Sequence, residues 1–330
     1  MLLQCISLLL HGCVVFCVDY SRTNEGLSEV PTGIPSNTNR IYLGQNSITA
    51  FDPSRISHLD FLTDIDIQNN DLTEFPNFCN VAASLLVVKV NRNPIVSLDQ
   101  TRLDCLTLLT TLEMAETDLT NIDSLSFALI SDTIKSIVIG FADYVSIPRF
   151  PDLPALETFN VRRSQNLLLP TDYFIGLNWP WLTYLNIDDI ANTQMPDLSE
   201  IAWTLERFYI SDTRFTDLPH RSFAQMRYVT TLHLRGTSFT FFPTTCPADP
   251  SAMHLEFQGS AIELCECRHV WVKMVKEMGA WVQHDNPTCA VTSWNEASTQ
   301  DLIDSCQTTP GEGSTIHILC RALGLQGSRS

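Results

Sequence analysis

The stretch LTDIDIQNNDL, residues 62–72, carries Leu62, Ile65, Ile67 and Leu72 at its first, fourth, sixth and eleventh positions, with Asn70 at the ninth. A helical period would place apolar residues three and four apart, then seven and eight. Strict alternation accounts for Ile65 and Ile67 but leaves Asn70 without a reason. An asparagine held among aliphatic residues suits a buried backbone that needs one partner able both to donate and to accept.

The same pattern recurs with its first slot at 38, 62, 85, 109, 134, 156, 182, 205, 229 and 252. Ile41, Leu43, Asn46 and Ile48 fill one copy, and Val88, Val90, Asn93 and Ile95 another. Later copies keep the apolar slots and change the ninth position to Thr117, Ser164, Thr213, Thr237 or Ser260. A single hydroxyl does part of the work of an amide there. Ala142 and Ile190 do none of it, so irregular coils are expected around residues 134–204, where the spacing between copies also varies most.

The pattern LxxLxLxxNxL, in units of about 24 residues, resembles the extracellular leucine-rich repeat family. The resemblance implies an α/β solenoid, a leucine-rich repeat horseshoe of about ten repeats with a parallel β-sheet on its concave face. Each unit would be a short strand and a turn closing one coil, with the asparagines stacked as a ladder between coils. LPTDYFIGL and LPHRSFAQM place Phe174 and Phe223 where the family stacks a phenylalanine spine. These apolar slots are core, not site.

The chain has 330 residues, 44% of them hydrophobic, with a net charge of −17. Its acidity, with a pI near 4.7, argues against a nucleic-acid binder, which needs a basic footprint. The run from Leu2 to Val18 is too short for a membrane span and reads as a signal peptide, residues 1–17, with Val15 and Cys17 before the cleavage site. The product is then expected outside the cell. Removing Cys5, Cys13 and Cys17 leaves Cys79, Cys105, Cys246, Cys265, Cys267, Cys289, Cys306 and Cys320, an even set suited to full pairing. No N-x-Ser/Thr acceptor occurs, because Asn286 precedes a proline.

The expected organisation is an N-terminal cap at 18–37, repeats over 38–262, a cysteine cap at 263–306 and a tail at 307–330. Cys265-x-Cys267, Trp271 and the later Cys289 and Cys306 look like the C-terminal cap of extracellular leucine-rich repeat proteins. That resemblance implies Cys265–Cys289 and Cys267–Cys306 pairs. Val270, Trp271, Met274, Val275, Met278 and Trp281 recur at helical spacing, predicting an amphipathic helix over the open core. A zinc site there lacks two close ligand pairs. The N-terminal cap contains no cysteine, so a strand within 26–36 is expected to cover the first coil without a disulfide. Cys79 and Cys105 occupy neighbouring coils about 5 Å apart, within disulfide reach. Elimination then leaves Cys246 with Cys320.

Strand residues between the apolar slots face outward, and solenoids of this kind bind through that surface. Acidic and basic side chains are nearly balanced on it, as suits protein recognition. Aromatic and arginine side chains dominate binding hot spots. Phe141, Arg162, Arg163, Tyr184, Arg207 and Tyr209 project onto four consecutive strands, flanked by Asp188, Asp189 and Asp212, and form the candidate ligand-binding patch. An ordinary solvated sheet face is the competing reading. His233 and Glu256 share a column with His254 on the diagonal, within reach of a metal ion or a pH-sensitive contact. Solvated side chains are the simpler reading there, and no metal or cofactor is assigned.

No Gly-rich phosphate loop, HExxH, GxSxG or SxxK motif occurs, and no catalytic residue is proposed. The sequence points to a secreted, non-enzymatic recognition or adhesion module with an extracellular protein ligand. Its alternatives are a structural matrix protein or a receptor ectodomain lacking its span.

Overall fold

In the coil that begins at Leu62, the side chains of Leu62, Ile65, Ile67 and Leu72 are all buried, while Asp64 and Asp66 between them reach the surface. The chain leaves the strand at Gln68, and the turn would strand several backbone groups in an apolar interior. Asn70 resolves this. Its Nδ2 donates to the carbonyls of Leu43 at 2.9 Å and Ile67 at 3.0 Å, and its Oδ1 accepts from the N–H of Ile48 at 3.0 Å. One amide thus ties its own coil to the preceding one. Asn93 repeats the device with Ile67, Val90 and Leu72, and Asn46 with Arg22, Leu43, Glu25 and Leu27.

The residue before this asparagine adopts a left-handed conformation, with φ of 59° at Gln45, 52° at Asn69 and 55° at Arg92. Glu116, Arg163, Asp189, Asp212, Gly236 and Gly259 repeat it at the same place in later coils. A residue with positive φ at these turns reverses the chain while the strands stay in register. The fold is a parallel-strand solenoid of about nine turns with leucine-rich repeat architecture.

The computed structural model describes residues 17–141, 147–164, 167–215, 225–237, 250–259, 270–284, 288–289 and 292–293. The chain divides into two compact units, one of Met1–Leu167 with Asn178–Trp181 and the other of Leu168–Leu177 with Leu182–Ser330.

The N-terminal unit carries strands β1 (Val18–Ser21), β2 (Thr38–Tyr42), β3 (Asp64–Asp66) and β4 (Val87–Lys89). Beyond a short strand β5 (Ser97–Leu98) come β6 (Thr111–Met114), β7 (Asn121–Ile122), β8 (Ser136–Ile139) and β9 (Thr158–Val161). β1, β2, β3, β4, β6, β8 and β9 pair in parallel in that order, and β5 pairs with β7 at the backs of their coils. Aromatic packing fills the space behind the strands: Phe127 meets Phe150 at 4.6 Å, Phe150 meets Phe159 at 5.6 Å, and Phe159 meets Trp179 at 5.1 Å. The Cys79–Cys105 disulfide forms as the sequence predicts, with its Cα atoms 5.4 Å apart.

The edge of this unit corrects two expectations. The covering strand is β1, not a segment within 26–36; it pairs with β2 and is followed by its own left-handed residue, Asn24, at φ 59°. It therefore adds one more coil, with a register shift between Val18 and Asp19, which the Asn46 amide joins to the first repeat. Nor is this end free of disulfides. Cys17, immediately before β1, is disulfide-bonded to a partner outside the described residues.

The C-terminal unit carries β10 (Tyr184–Asp188), β11 (Arg207–Ser211), β12 (Thr231–Arg235), β13 (His254–Glu256) and β14 (Trp281–Gln283), paired in parallel in that order. β15 (Thr288–Cys289) and β16 (Thr292–Ser293) form a small antiparallel pair. The predicted helix is shorter than its apolar pattern, spanning Val270–Glu277, and ends before Gly279 at φ 108°. Trp281 consequently lies on the last strand, not on the helix, and Met278 is exposed. The side chains of Val270, Trp271, Met274 and Val275 lie outside the described set, as do those of Cys246, Cys265, Cys267, Cys289, Cys306 and Cys320.

The weak ladder positions divide. Thr117 donates to Met114 and Gly140 carbonyls, and Ser164 accepts from the N–H of Phe141, as a single hydroxyl should. The buried hydroxyls of Thr213 and Thr237 make no hydrogen bond among the described residues, against expectation. Ile190 is packed as core, and Asn192, two residues later, exchanges hydrogen bonds with both backbone groups of Leu169. The turn was lengthened rather than lost. β8 and β9 remain in regular register, so the expected irregularity spares these strands. Ala142 and Ser260 lie outside the described residues. Phe174 is buried as core, edge-on to Tyr173, whereas Phe223 lies outside the described residues.

Candidate binding face

Because β10 to β14 pair in parallel without offset, residues at equivalent places in successive coils form rows across the sheet. In the C-terminal unit the first row reads Tyr184, Arg207, Thr231, His254, Trp281, and the second Asn186, Tyr209, His233, Glu256, Gln283. A third row holds Asp188, Ser211 and Arg235.

These rows are rich in ring contacts. The Tyr184 and Tyr209 rings stack at 5.1 Å with 28° between their planes. The Arg207 guanidinium sits 5.1 Å from the centre of the Tyr184 ring, within cation–π range. Tyr209 continues to His233 at 5.4 Å, and His233 Nδ1 approaches Glu256 Oε2 at 2.9 Å. At the far end the His254 ring lies 3.8 Å from that of Trp281, which is 47% exposed. Mutual stacking fixes rotamers that would otherwise be free, so little side-chain entropy remains to be lost on binding.

The corresponding face of the N-terminal unit is held by charge. Lys89 Nζ pairs with Glu113 Oε1 at 2.7 Å, and Asn91 Nδ2 donates to the other carboxylate oxygen at 2.8 Å. Arg40 lies 3.8 Å from Asp64. Arg92 clasps Glu116 through two nitrogens at 2.9 and 3.2 Å, and Arg163 pairs with the same carboxylate. Burial pushes the Asp66 carboxyl above its usual 3.8, although the Gln68 N–H and Lys89 pull it back.

Three of the six candidate residues, Tyr184, Arg207 and Tyr209, come together as one contact cluster. Arg162 and Arg163 are exposed on the N-terminal unit, where Arg163 is already engaged by Glu116. Phe141 does not belong to the surface. It is 3% exposed and packs into the core. Most other coils place a left-handed residue at its position, a conformation costly for a bulky side chain. The preceding Gly140 passes close to its neighbours, since an added Cβ would lie 2.6 Å from the Arg162 carbonyl and 2.8 Å from the Glu116 nitrogen. Phe141 is not among the left-handed residues, so this turn departs from the others and its side chain joins the core.

Trp281 and Gln283 belong to the face and were not among the sequence candidates. A readable signal existed: the alternation of Trp281, Val282 and Gln283 is strand-like, but the helical pattern beginning at Val270 overrode it. Among the described residues, no group of three or more His, Cys, Asp or Glu side chains is placed to hold a metal ion. A shallow depression lined by Asp132, Lys135, Pro154, Ala155, Glu157 and Trp181 lies in the N-terminal unit.

No protein-family model matches the chain, and no curated protein matches it. Among solved structures, a leucine-rich repeat protein of Leptospira interrogans is 16% identical with a TM-score of 0.47, over 75% of this chain and 72% of that one. The leucine-rich repeat domain of APL1B is 16% identical with a TM-score of 0.46, over 72% of this chain and 77% of that one. The coil architecture stands on the strand register and the asparagine ladder, not on these likenesses.

Proposed function

We propose that the chain is a secreted leucine-rich repeat recognition module that binds an extracellular protein ligand through its strand face. Cell-surface recognition, adhesion or innate-immune-type sensing would be its setting. The observation that carries this reading is the cluster of Tyr184, Arg207 and Tyr209, a preorganised set of the residue types that anchor protein interfaces. The module acts without catalysis or cofactor. No helix among the described residues is long and apolar enough to cross a membrane. Separating culture medium from membranes therefore tests directly whether the native product is released.

Crosslinking the purified protein in its native extracellular milieu identifies the ligand. Replacing Tyr184, Arg207 and Tyr209 together with alanine is expected to weaken binding of that ligand by thirtyfold or more, roughly the loss of one hot spot. Unchanged affinity in a correctly folded triple variant would remove the strand face from consideration.

A further inference from the structure

His233 stands in the middle of the second row, between the Tyr209 ring at 5.4 Å and the Glu256 carboxylate at 2.9 Å. The two side chains of the His233–Glu256 pair are only 20% and 16% exposed. The groups acting on the imidazole come from three strands and a turn: Tyr209 from β11, Asp212 from the turn that follows it, Arg235 from its own strand, and His254 and Glu256 from β13. Burial pushes the imidazole below its usual 6.5, Arg235 and His254 push the same way, and Glu256 and Asp212 oppose them. Burial is the largest of these, so the ring is neutral at neutral pH.

A neutral imidazole carries one ring proton. The carboxylate oxygen 2.9 Å from Nδ1 accepts only, so the proton sits on Nδ1 and the lone pair on Nε2. Among the described residues Nε2 has no hydrogen-bond partner. The next proton must enter there. On acidification the same atom changes from acceptor to donor, and the ring gains a positive charge, without moving from its place between Tyr209 and Glu256.

We propose that His233 is an acid-responsive recognition residue: at neutral pH its Nε2 accepts a hydrogen bond from a donor group of the protein ligand, and protonation of Nε2 expels that donor. Tyr209 and Glu256 are positioning residues, holding the ring plane and the tautomer. The ligand half of this assignment rests on the strand-face reading above; the tautomer and its titration do not.

Imidazole nitrogen NMR on the full chain tests the second half. A ring proton on Nδ1 at pH 7.5, with proton uptake at Nε2 only below 6.5, is expected, and Glu256→Gln should reduce the population of that tautomer. A proton resident on Nε2 at pH 7.5, or a ring already charged there, overturns the assignment. Binding of the crosslink-identified protein, purified and measured at pH 7.5 and 5.5, tests the first half. The wild type should lose affinity severalfold on acidification, short of the tenfold that an imidazole titrating at about 6.5 would give between those two pH values. His233→Gln should flatten that profile, and His58→Gln, in the N-terminal unit against the Ile34 carbonyl, should preserve it. A pH profile in His233→Gln identical to wild type overturns the recognition role. Binding at neither pH by a wild type with the expected NMR titration sinks the strand-face reading, and the recognition role with it.

Discussion

The two units build the same coil from different interactions. In the N-terminal unit Asn46, Asn70 and Asn93 satisfy the turn backbone with four or five hydrogen bonds each, and the outer face is laced by Lys89–Glu113 and Arg92–Glu116–Arg163 pairs. The C-terminal unit buries Thr213 and Thr237 at the equivalent place with idle hydroxyls, and its face is a series of stacked rings. Exposed ion pairs contribute little stability and satisfy one another, so the first face is largely committed internally. Stacked aromatics present apolar area with a polar edge and remain available to a partner. The unit with the stronger backbone ladder is thus the less adapted to binding.

The sharpest way to break this contrast is to remove the ladder. Asn70→Ala removes four hydrogen bonds, leaving the Ile48 N–H without its partner and the Leu43 and Ile67 carbonyls with only the Asn46 and Asn93 amides, and should cost about 3–5 kcal/mol in denaturant unfolding. Thr213→Val removes only an unsatisfied hydroxyl and should fall within about 0.5 kcal/mol of wild type or stabilise the protein. Equal losses at the two positions would mean that the asparagine contributes nothing beyond its volume.

A smaller effect is expected from the cross-link. The Cys79–Cys105 bridge closes a separation of 26 residues, and replacing both cysteines with serine should lower stability by about 3 kcal/mol. Proteolysis should then open the N-terminal unit first, and preferential cleavage in the C-terminal unit would contradict this.

Smaller again are two pH effects of opposite sign. Burial raises the Asp66 carboxyl, so its favourable contribution is full below the unfolded value of 3.8 and is lost as pH rises through the folded value. Asp66→Asn should therefore raise the melting temperature slightly at pH 7. Burial lowers His233, so the unfolded chain takes up that proton first and stability declines as pH falls below 6.5. His233→Gln should make the acid limb shallower. Thermal melts of both variants from pH 4 to 8 check the signs, and slopes of the same sign would refute the opposition.

Much of the scaffold was legible because its signal is local and repeated. Ile65, Ile67 and Asn70 announce a coil, and each further copy raises the odds that the coil stacks. The Cys79–Cys105 bridge was legible for the same reason, since the repeat fixes which residues lie side by side. The candidate face was less so. Tyr184, Arg207 and Tyr209 were found by projecting the repeat, but Phe141 was misplaced because a single turn departed from the standard one at Gly140.

By itself the sequence determined the coil period, the burial of its apolar slots and the need for a polar partner at each turn, because these follow from backbone hydrogen bonding within one or two coils. Tertiary structure alone decided which outward residues touch. Tyr209 meets His233, His233 meets Glu256, and Trp281 leaves the helix to join His254, because strand register and the point where the helix stops bring distant segments together. Such contacts depend on positions set to within an ångström, and no period in the sequence encodes them.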